Sequence, residues 1–199
     1  MRPFTSLRAV AAPFDLANCD TDKVIPARFL RKPRSGGYGG FLFHDIRAEP
    51  GFVLNRPAYR AAQILVAERN FGCGSSREGA VWALHEMGVR CVIGSSFGDI
   101  FFNNCFQNGL LPVVLDRQTV ESLAREVEAS QGAGRITVDL AEMTVTAPSG
   151  KRHSFAVEPA RREALLEGLD EIAMTLKRAP EIAAFQARDR EQRPWIHAI

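Results

Sequence analysis

Several classes of protein are excluded by what this sequence lacks. No apolar run approaches the roughly 20 residues that a membrane-spanning helix needs. The formal net charge is only +2, and no basic stretch interleaves with aromatic side chains, so a surface that tracks nucleic-acid phosphates has no support. Cysteine occurs four times, at Cys19, Cys73, Cys91 and Cys105, with separations of 54, 18 and 14 residues and no C-x-x-C pair. That spacing argues against a zinc site, a thiol redox centre or an iron–sulfur cluster held by this chain alone. The thiols read instead as small buried hydrophobes in a reducing cytosol, and a cytoplasmic location is expected. The first 13 residues contain no acid. They lack the apolar centre of a secretory signal. A transit peptide is one reading of them, but Leu7, Ala9 and Ala11 alternate as in a first strand, and that reading is adopted.

What is present is an ordinary globular balance. The 199 residues are 46% hydrophobic and 24% charged, enough for one domain over 1–199 with a core that needs no disulfides. After the first strand comes the polar stretch Asn18-Cys19-Asp20-Thr21-Asp22. The segment 31–40 holds four glycines, a proline and three cations, a composition that predicts a mobile surface loop. Gln63-Ile64-Leu65-Val66-Ala67 reads as a buried strand. Ala80, Val81, Leu84 and Met87 then recur at helical spacing, with Gly88 at the C-terminal cap, and Cys91-Val92-Ile93 is the next strand. Strand, glycine loop, helix and strand make a βαβ unit with parallel strands. The theme repeats with a helix over 100–108 and a strand over 112–115. Asp116 then caps a helix that buries Val120, Leu123, Ala124 and Val127. A hairpin follows from Ile136-Thr137-Val138 and Met143-Thr144-Val145, with a further strand over 155–157. Pro159 begins a C-terminal helical arm, 159–199, whose predicted buried stripe is Leu165, Leu169, Ile172 and Leu176.

The chemistry concentrates in Gly72-Cys73-Gly74-Ser75-Ser76-Arg77-Glu78. Gly72 and Gly74 permit a positive φ and close approach of a ligand to the backbone. Ser75 and Glu78 have the spacing of a capping box, and Arg77 adds a planar fork matched to a carboxylate. A plain helix cap is the bland reading; Arg77 and the flanking glycines favour an anion site at the helix start. A dinucleotide fingerprint, a P-loop and a nucleophile elbow each require residues this stretch lacks. His44, His85, His153 and His197 are dispersed, and His85-Glu86 lacks the second histidine of a metal-binding helix. Asp20, Thr21 and Asp22 read either as an acid/base cluster or as a turn and cap set supporting the loop, the latter being favoured.

The run from Asn70 to Glu78 resembles the signature of the 3-isopropylmalate dehydratase small-subunit family, related to the swivelling fourth domain of aconitase. The likeness extends to 18–26, 37–43, 94–104, Gly168-Leu169-Asp170-Glu171-Ile172 and Arg193-Pro194-Trp195, in order along nearly the whole chain. The resemblance implies an α/β fold of the swivelling β/β/α type, with a mainly parallel sheet and flanking helices. It implies a hydro-lyase active only with a large subunit, interconverting 2-isopropylmalate and 3-isopropylmalate through isopropylmaleate in leucine biosynthesis. It implies no cofactor and no metal on this chain, and a [4Fe–4S] cluster on the large subunit. It implies Ser75 as the catalytic base, Ser76 and Arg77 as binders of a substrate carboxylate, and a substrate loop at about 29–40 in which Leu30 would suit an isopropyl group. Asp20, Thr21, Asp22, Gly72 and Gly74 would support the site. A related small subunit acting on citraconate, dimethylmalate or homoaconitate-like acids, and a non-catalytic regulatory paralogue, are the alternatives.

Overall fold

The computed structural model describes residues 1–75 and 77–197. Two four-stranded sheets divide the work. One is wholly parallel and contains β2 (Ala11–Phe14), β3 (Ile64–Ala67), β4 (Cys91–Gly94) and β5 (Leu111–Val114), in that spatial order. β3 and β4 are buried at every position, as strands covered on both faces must be. The other sheet is antiparallel: β1 (Ser6–Ala9) pairs with β6 (Ile136–Asp139), which continues to β7 (Thr144–Thr146) and β8 (Arg152–Ser154). The alternation at Leu7, Ala9 and Ala11 therefore belongs to two strands in two different sheets, separated only by Val10.

Helices connect and cover the parallel sheet. α1 (Thr21–Val24) is a single turn after β2. α2 (Glu78–Glu86) joins β3 to β4, and α3 (Asp99–Gln107) joins β4 to β5. α4 (Arg117–Ser130) begins at Asp116, whose carboxylate accepts from Thr119 N at 2.9 Å, and packs on β2, β3 and β4 through Val120, Leu123 and Val127. One hydrophobic cluster runs from this sheet into the antiparallel one through Ile136, Val138 and Val145.

Three local expectations are corrected. The last strand is 152–154 rather than 155–157, because Phe155 turns inward to fill the core while 152–154 pairs with β7. The segment 31–40 is exposed over 31–36, as a surface loop would be, but its far end is tied down. It forms short 3-10 turns, Tyr38 is buried, and the backbone N–H groups of Tyr38 and Gly39 donate to the Glu86 carboxylate at the end of α2, the latter at 2.8 Å. The C-terminal arm is not one helix with one buried stripe. Gly168 takes a left-handed conformation and ends α5 (Pro159–Glu167); α6 (Glu171–Leu176), α7 (Ala179–Gln192) and α8 (Pro194–His197) follow. Leu165 is buried, but Ile172 is 73% and Leu176 64% exposed.

Candidate active site

The site lies at the C-terminal edge of the parallel sheet, where β3 ends and the chain must turn before α2. Two neighbouring segments pin the loop between them. From the N-terminal side, Gly72 N donates to Cys19 O at 2.7 Å and Thr21 N donates to Cys73 O at 3.0 Å. From the loop after β4, Phe71 N donates to Ser96 O at 3.2 Å, and Gly98 N donates to Phe71 O at 2.9 Å. Gly72 and Gly74 adopt φ of +72° and +86°, the left-handed region that glycine enters without a Cβ penalty. Gly98 is required for a different reason. A Cβ there would stand 2.5 Å from Gly72 O and 2.8 Å from Cys73 Cα, so the two loops approach backbone to backbone.

This pinning carries Ser75 to an exposed position just ahead of α2. Its carbonyl accepts the Thr21 hydroxyl at 2.8 Å, and its own Oγ accepts from Arg77 Nη2 at 3.2 Å. Arg77, not Ser75, is the residue preceding the first turn, and its side chain makes no capping bond to α2. The capping-box expectation is thus corrected: Ser75 is held by Thr21 across the loop, two residues too early to cap, and Glu78 instead accepts from Asn108 Nδ2 at 2.9 Å. With no cap from the Arg77 side chain, the first turn directs its partial positive charge toward Ser75 and Arg77.

The guanidinium of Arg77 bridges two partners. Nη1 forms an ion pair with Asp22, and Nη2 faces the Ser75 hydroxyl. The Arg77 side chain is 17% exposed while Asp22 is 52% exposed, so the pair opens to solvent on the carboxylate side. The Arg77 hydrogen bond holds the Asp22 carboxyl below the usual carboxylate range. Asp20 caps α1, accepting from Lys23 N at 2.8 Å. Thr21 is buried. Ser76 lies outside the described residues.

Leu30 packs over the first turn of α2. A Cβ on Gly79 would meet Leu30 Cδ2 at 2.5 Å. Of the cations beside it, Lys32 Nζ sits 4.6 Å from the Phe41 ring centroid and the Arg34 guanidinium 3.8 Å from that of Trp82, whereas Arg31 is exposed. Trp82 also stacks on Tyr38 and donates to Asn108 Oδ1 at 2.9 Å. Sequence reasoning missed Glu86, Trp82, Gly98 and Asn108 as supports of the site. Only Gly98, a glycine in a short loop after a buried strand, left a local signal.

Cys19, Cys91 and Cys105 are fully buried, and burial pushes the Cys19 thiol up to about 12 and raises the other two as well. Cys73 is half-buried and lends the loop its backbone. Among the described residues no three of His, Cys, Asp or Glu converge as metal ligands. No described helix is long and apolar enough to cross a membrane.

Comparison with known proteins gives a consistent result. Residues 1–118 match the family model described as the aconitase C-terminal domain, and 121–159 match the LeuD_N model. Residues 171–199 match the model of the C-terminal domain of the 3-isopropylmalate dehydratase small subunit. A protein of Jannaschia sp. (strain CCS1) named 3-isopropylmalate dehydratase small subunit is 50% identical over 202 residues, covering 98% of this chain and all of the relative. One of Neisseria meningitidis serogroup A with the same name is 47% identical over 211 residues, covering 98% and 99%. The crystal structure of a 3-isopropylmalate dehydratase from Methanocaldococcus jannaschii superimposes with a TM-score of 0.65 at 25% identity, covering 92% of this chain and 99% of that one.

Proposed function

The chain belongs to the 3-isopropylmalate dehydratase small-subunit family, and from that membership we propose how its own side chains share in the reaction. It is the small subunit of a hydro-lyase of leucine biosynthesis, and the large subunit is its partner. The assembled enzyme interconverts 2-isopropylmalate and 3-isopropylmalate through isopropylmaleate. In the dehydration half, a proton leaves a carbon next to a carboxylate and the hydroxyl leaves the neighbouring carbon; rehydration reverses this with the positions exchanged.

Ser75 Oγ takes that proton. A serine is a poor base unless its oxyanion is stabilised. The observation that carries the assignment is the Arg77 Nη2 to Ser75 Oγ hydrogen bond of 3.2 Å, made at the start of α2. Both the guanidinium and the helix terminus favour negative charge on that oxygen. Asp22 and Thr21 position the pair. Arg77 and Ser76 bind one substrate carboxylate, and Leu30, held over Gly79, contacts the isopropyl group. A [4Fe–4S] cluster on the large subunit would supply Lewis acidity toward the hydroxyl and a carboxylate.

Leu30 over the first turn of α2, with Lys32 and Arg34 stacked on aromatic rings, favours an alkyl-substituted substrate, and the exposed Arg31 is the one loop cation without such a stacking partner. One apolar contact discriminates by roughly 1–3 kcal/mol, so the preference is one of degree.

The test is anaerobic co-expression with a large subunit, followed by assay of alkene formation from 2-isopropylmalate, citraconate hydration and dehydration of homoaconitate-type acids. Preferential turnover of isopropylmalate is expected. Faster turnover of a tricarboxylic acid would overturn the substrate assignment, and an inactive assembled pair would favour a regulatory role.

A further inference from the structure

We propose that a polar cleft at the other edge of the parallel sheet from Ser75 is a binding site for a small oxyanion, with Arg90 as its anchor. Ser75 follows the C-terminal end of β3, whereas Arg90 immediately precedes β4 and Gln63 immediately precedes β3. Because β3 and β4 are parallel, Arg90 and Gln63 share the N-terminal edge. The cleft is thus a separate place from the catalytic loop and goes beyond the reaction proposed above.

Arg90 is only 9% exposed, and its charge has no counterion among the described residues. Nε is buried without a hydrogen-bond partner. Nη2 reaches the carbonyls of Arg2 and Pro3 only at 3.4 and 3.3 Å, and the guanidinium lies 5.7 Å from the Phe4 ring centroid. Burial and the nearby charge of Arg2 both depress its pKa, with no carboxylate acting in the opposite sense. A buried cation without a charged partner is costly, and an anion drawn into its field offsets that cost.

The cavity beside it supplies the rest of a receptor. It holds about 190 Å³; its polar lining is Arg2, Thr5, Ser6, Gln63 and Arg90, its apolar lining is Pro3, Phe4 and Leu7, and no acidic residue is among them. Two guanidinium groups donate only, and two hydroxyls and a side-chain amide can each add a donor, a set that suits a phosphate or a small carboxylate. The volume admits either, and phosphate and carboxylate share the oxyanion chemistry that this lining recognises. Phe4 N also donates to Leu165 O at 2.8 Å, so an occupied cleft would brace the N-terminal segment against α5.

The test uses the full chain labelled with ¹⁵N in arginine. Side-chain Nε–Hε resonances are followed while inorganic phosphate, and separately malonate, replaces chloride at constant ionic strength. A saturable shift of the Arg90 resonance is expected. It should be lost in Arg90→Gln, and in Arg2→Ala the apparent Kd should be at least about tenfold weaker. Because Arg90→Gln removes a buried group and could impair folding, the exposed Arg2→Ala and Ser6→Ala substitutions carry the test independently. Saturation by phosphate but not malonate would identify a tetrahedral anion, and the reverse a carboxylate; either supports the site. No saturable shift in the wild-type chain, or an unchanged Kd in Arg2→Ala and Ser6→Ala, would overturn it and leave Arg90 as a clamp for the N-terminal segment alone.

Discussion

Thr21 donates its hydroxyl to the backbone carbonyl of Ser75 at 2.8 Å, across 54 residues of chain. The donor is buried and the acceptor belongs to the residue assigned as catalytic base. Removing the hydroxyl by Thr21→Val leaves that carbonyl unsatisfied in nearly the same volume. A loss of about 1–3 kcal/mol in unfolding free energy is expected, together with a lower kcat. Thr21→Ser should restore most of both. Urea denaturation and steady-state kinetics on the assembled enzyme check it, and unchanged values in Thr21→Val would remove the bond from any positioning role.

Ser75→Ala removes an exposed hydroxyl that accepts from Arg77 Nη2 and leaves the Thr21 bond to the Ser75 carbonyl in place. Turnover of isopropylmalate should fall by about 10²–10⁴-fold, while the substituted chain still co-elutes with the large subunit. Normal turnover would exclude Ser75 as the base.

The Arg77–Asp22 pair has a pH signature. Asp22 titrates below its ordinary value of 3.8 in the folded chain, chiefly through the Arg77 hydrogen bond. Its stabilising contribution is therefore complete above that value and is lost as pH falls through the depressed pKa. The difference in urea midpoint between wild type and Asp22→Asn should be flat above about pH 5 and shrink toward zero in the more acidic range. A difference that grows on acidification would contradict the pairing.

The close approach of the two loops predicts an asymmetry between glycines. Gly98→Ala places a methyl against the backbone of Gly72 and Cys73, which cannot move without shifting Ser75. It should cost about 1–3 kcal/mol or more and depress kcat. Gly79→Ala crowds only the flexible end of the Leu30 side chain and meets the Tyr38 ring at ordinary contact distance. It should leave stability nearly intact and act on KM for isopropylmalate. Thermal denaturation and kinetics on both variants separate the two effects.

Thiol accessibility gives a further check. Of the four cysteines, Cys19, Cys91 and Cys105 are fully buried, whereas Cys73 is partly accessible. A neutral aromatic disulfide reagent should titrate one thiol rapidly in the native isolated chain, that of Cys73, and all four in denaturant.

Much of this architecture was legible because it rests on local periodicity. The buried run 64–67, the helical spacing of Ala80, Val81 and Leu84, and the cap at Asp116 each announce their element without help from distant residues. Two of the failures come from contact over long sequence separation, and a third from a local helix stop. Segment 31–40 looks mobile by composition, yet Glu86 captures its backbone from nearly half a hundred residues away. The Ser75–Glu78 spacing imitates a capping box, yet Thr21 and Asn108 claim those two residues instead. In the arm, helical spacing links Leu165 to Ile172 and Leu176, but Gly168 breaks the helix and rotates the later residues away from the core. The site residues themselves were readable as a motif. Their mutual geometry, with Arg77 shared between Asp22 and Ser75, was not, because it depends on how the N-terminal segment crosses the loop.

The single residue between β1 and β2 has a consequence for how the chain assembles during translation. β2 can join its parallel sheet as soon as the segment through Val114 has left the ribosome, but β1 must wait for β6, which emerges later. Nascent chains arrested between those points should protect the amides of 11–14 from exchange while those of 6–9 remain open, so the start of the polypeptide is among the last parts to be zipped into place.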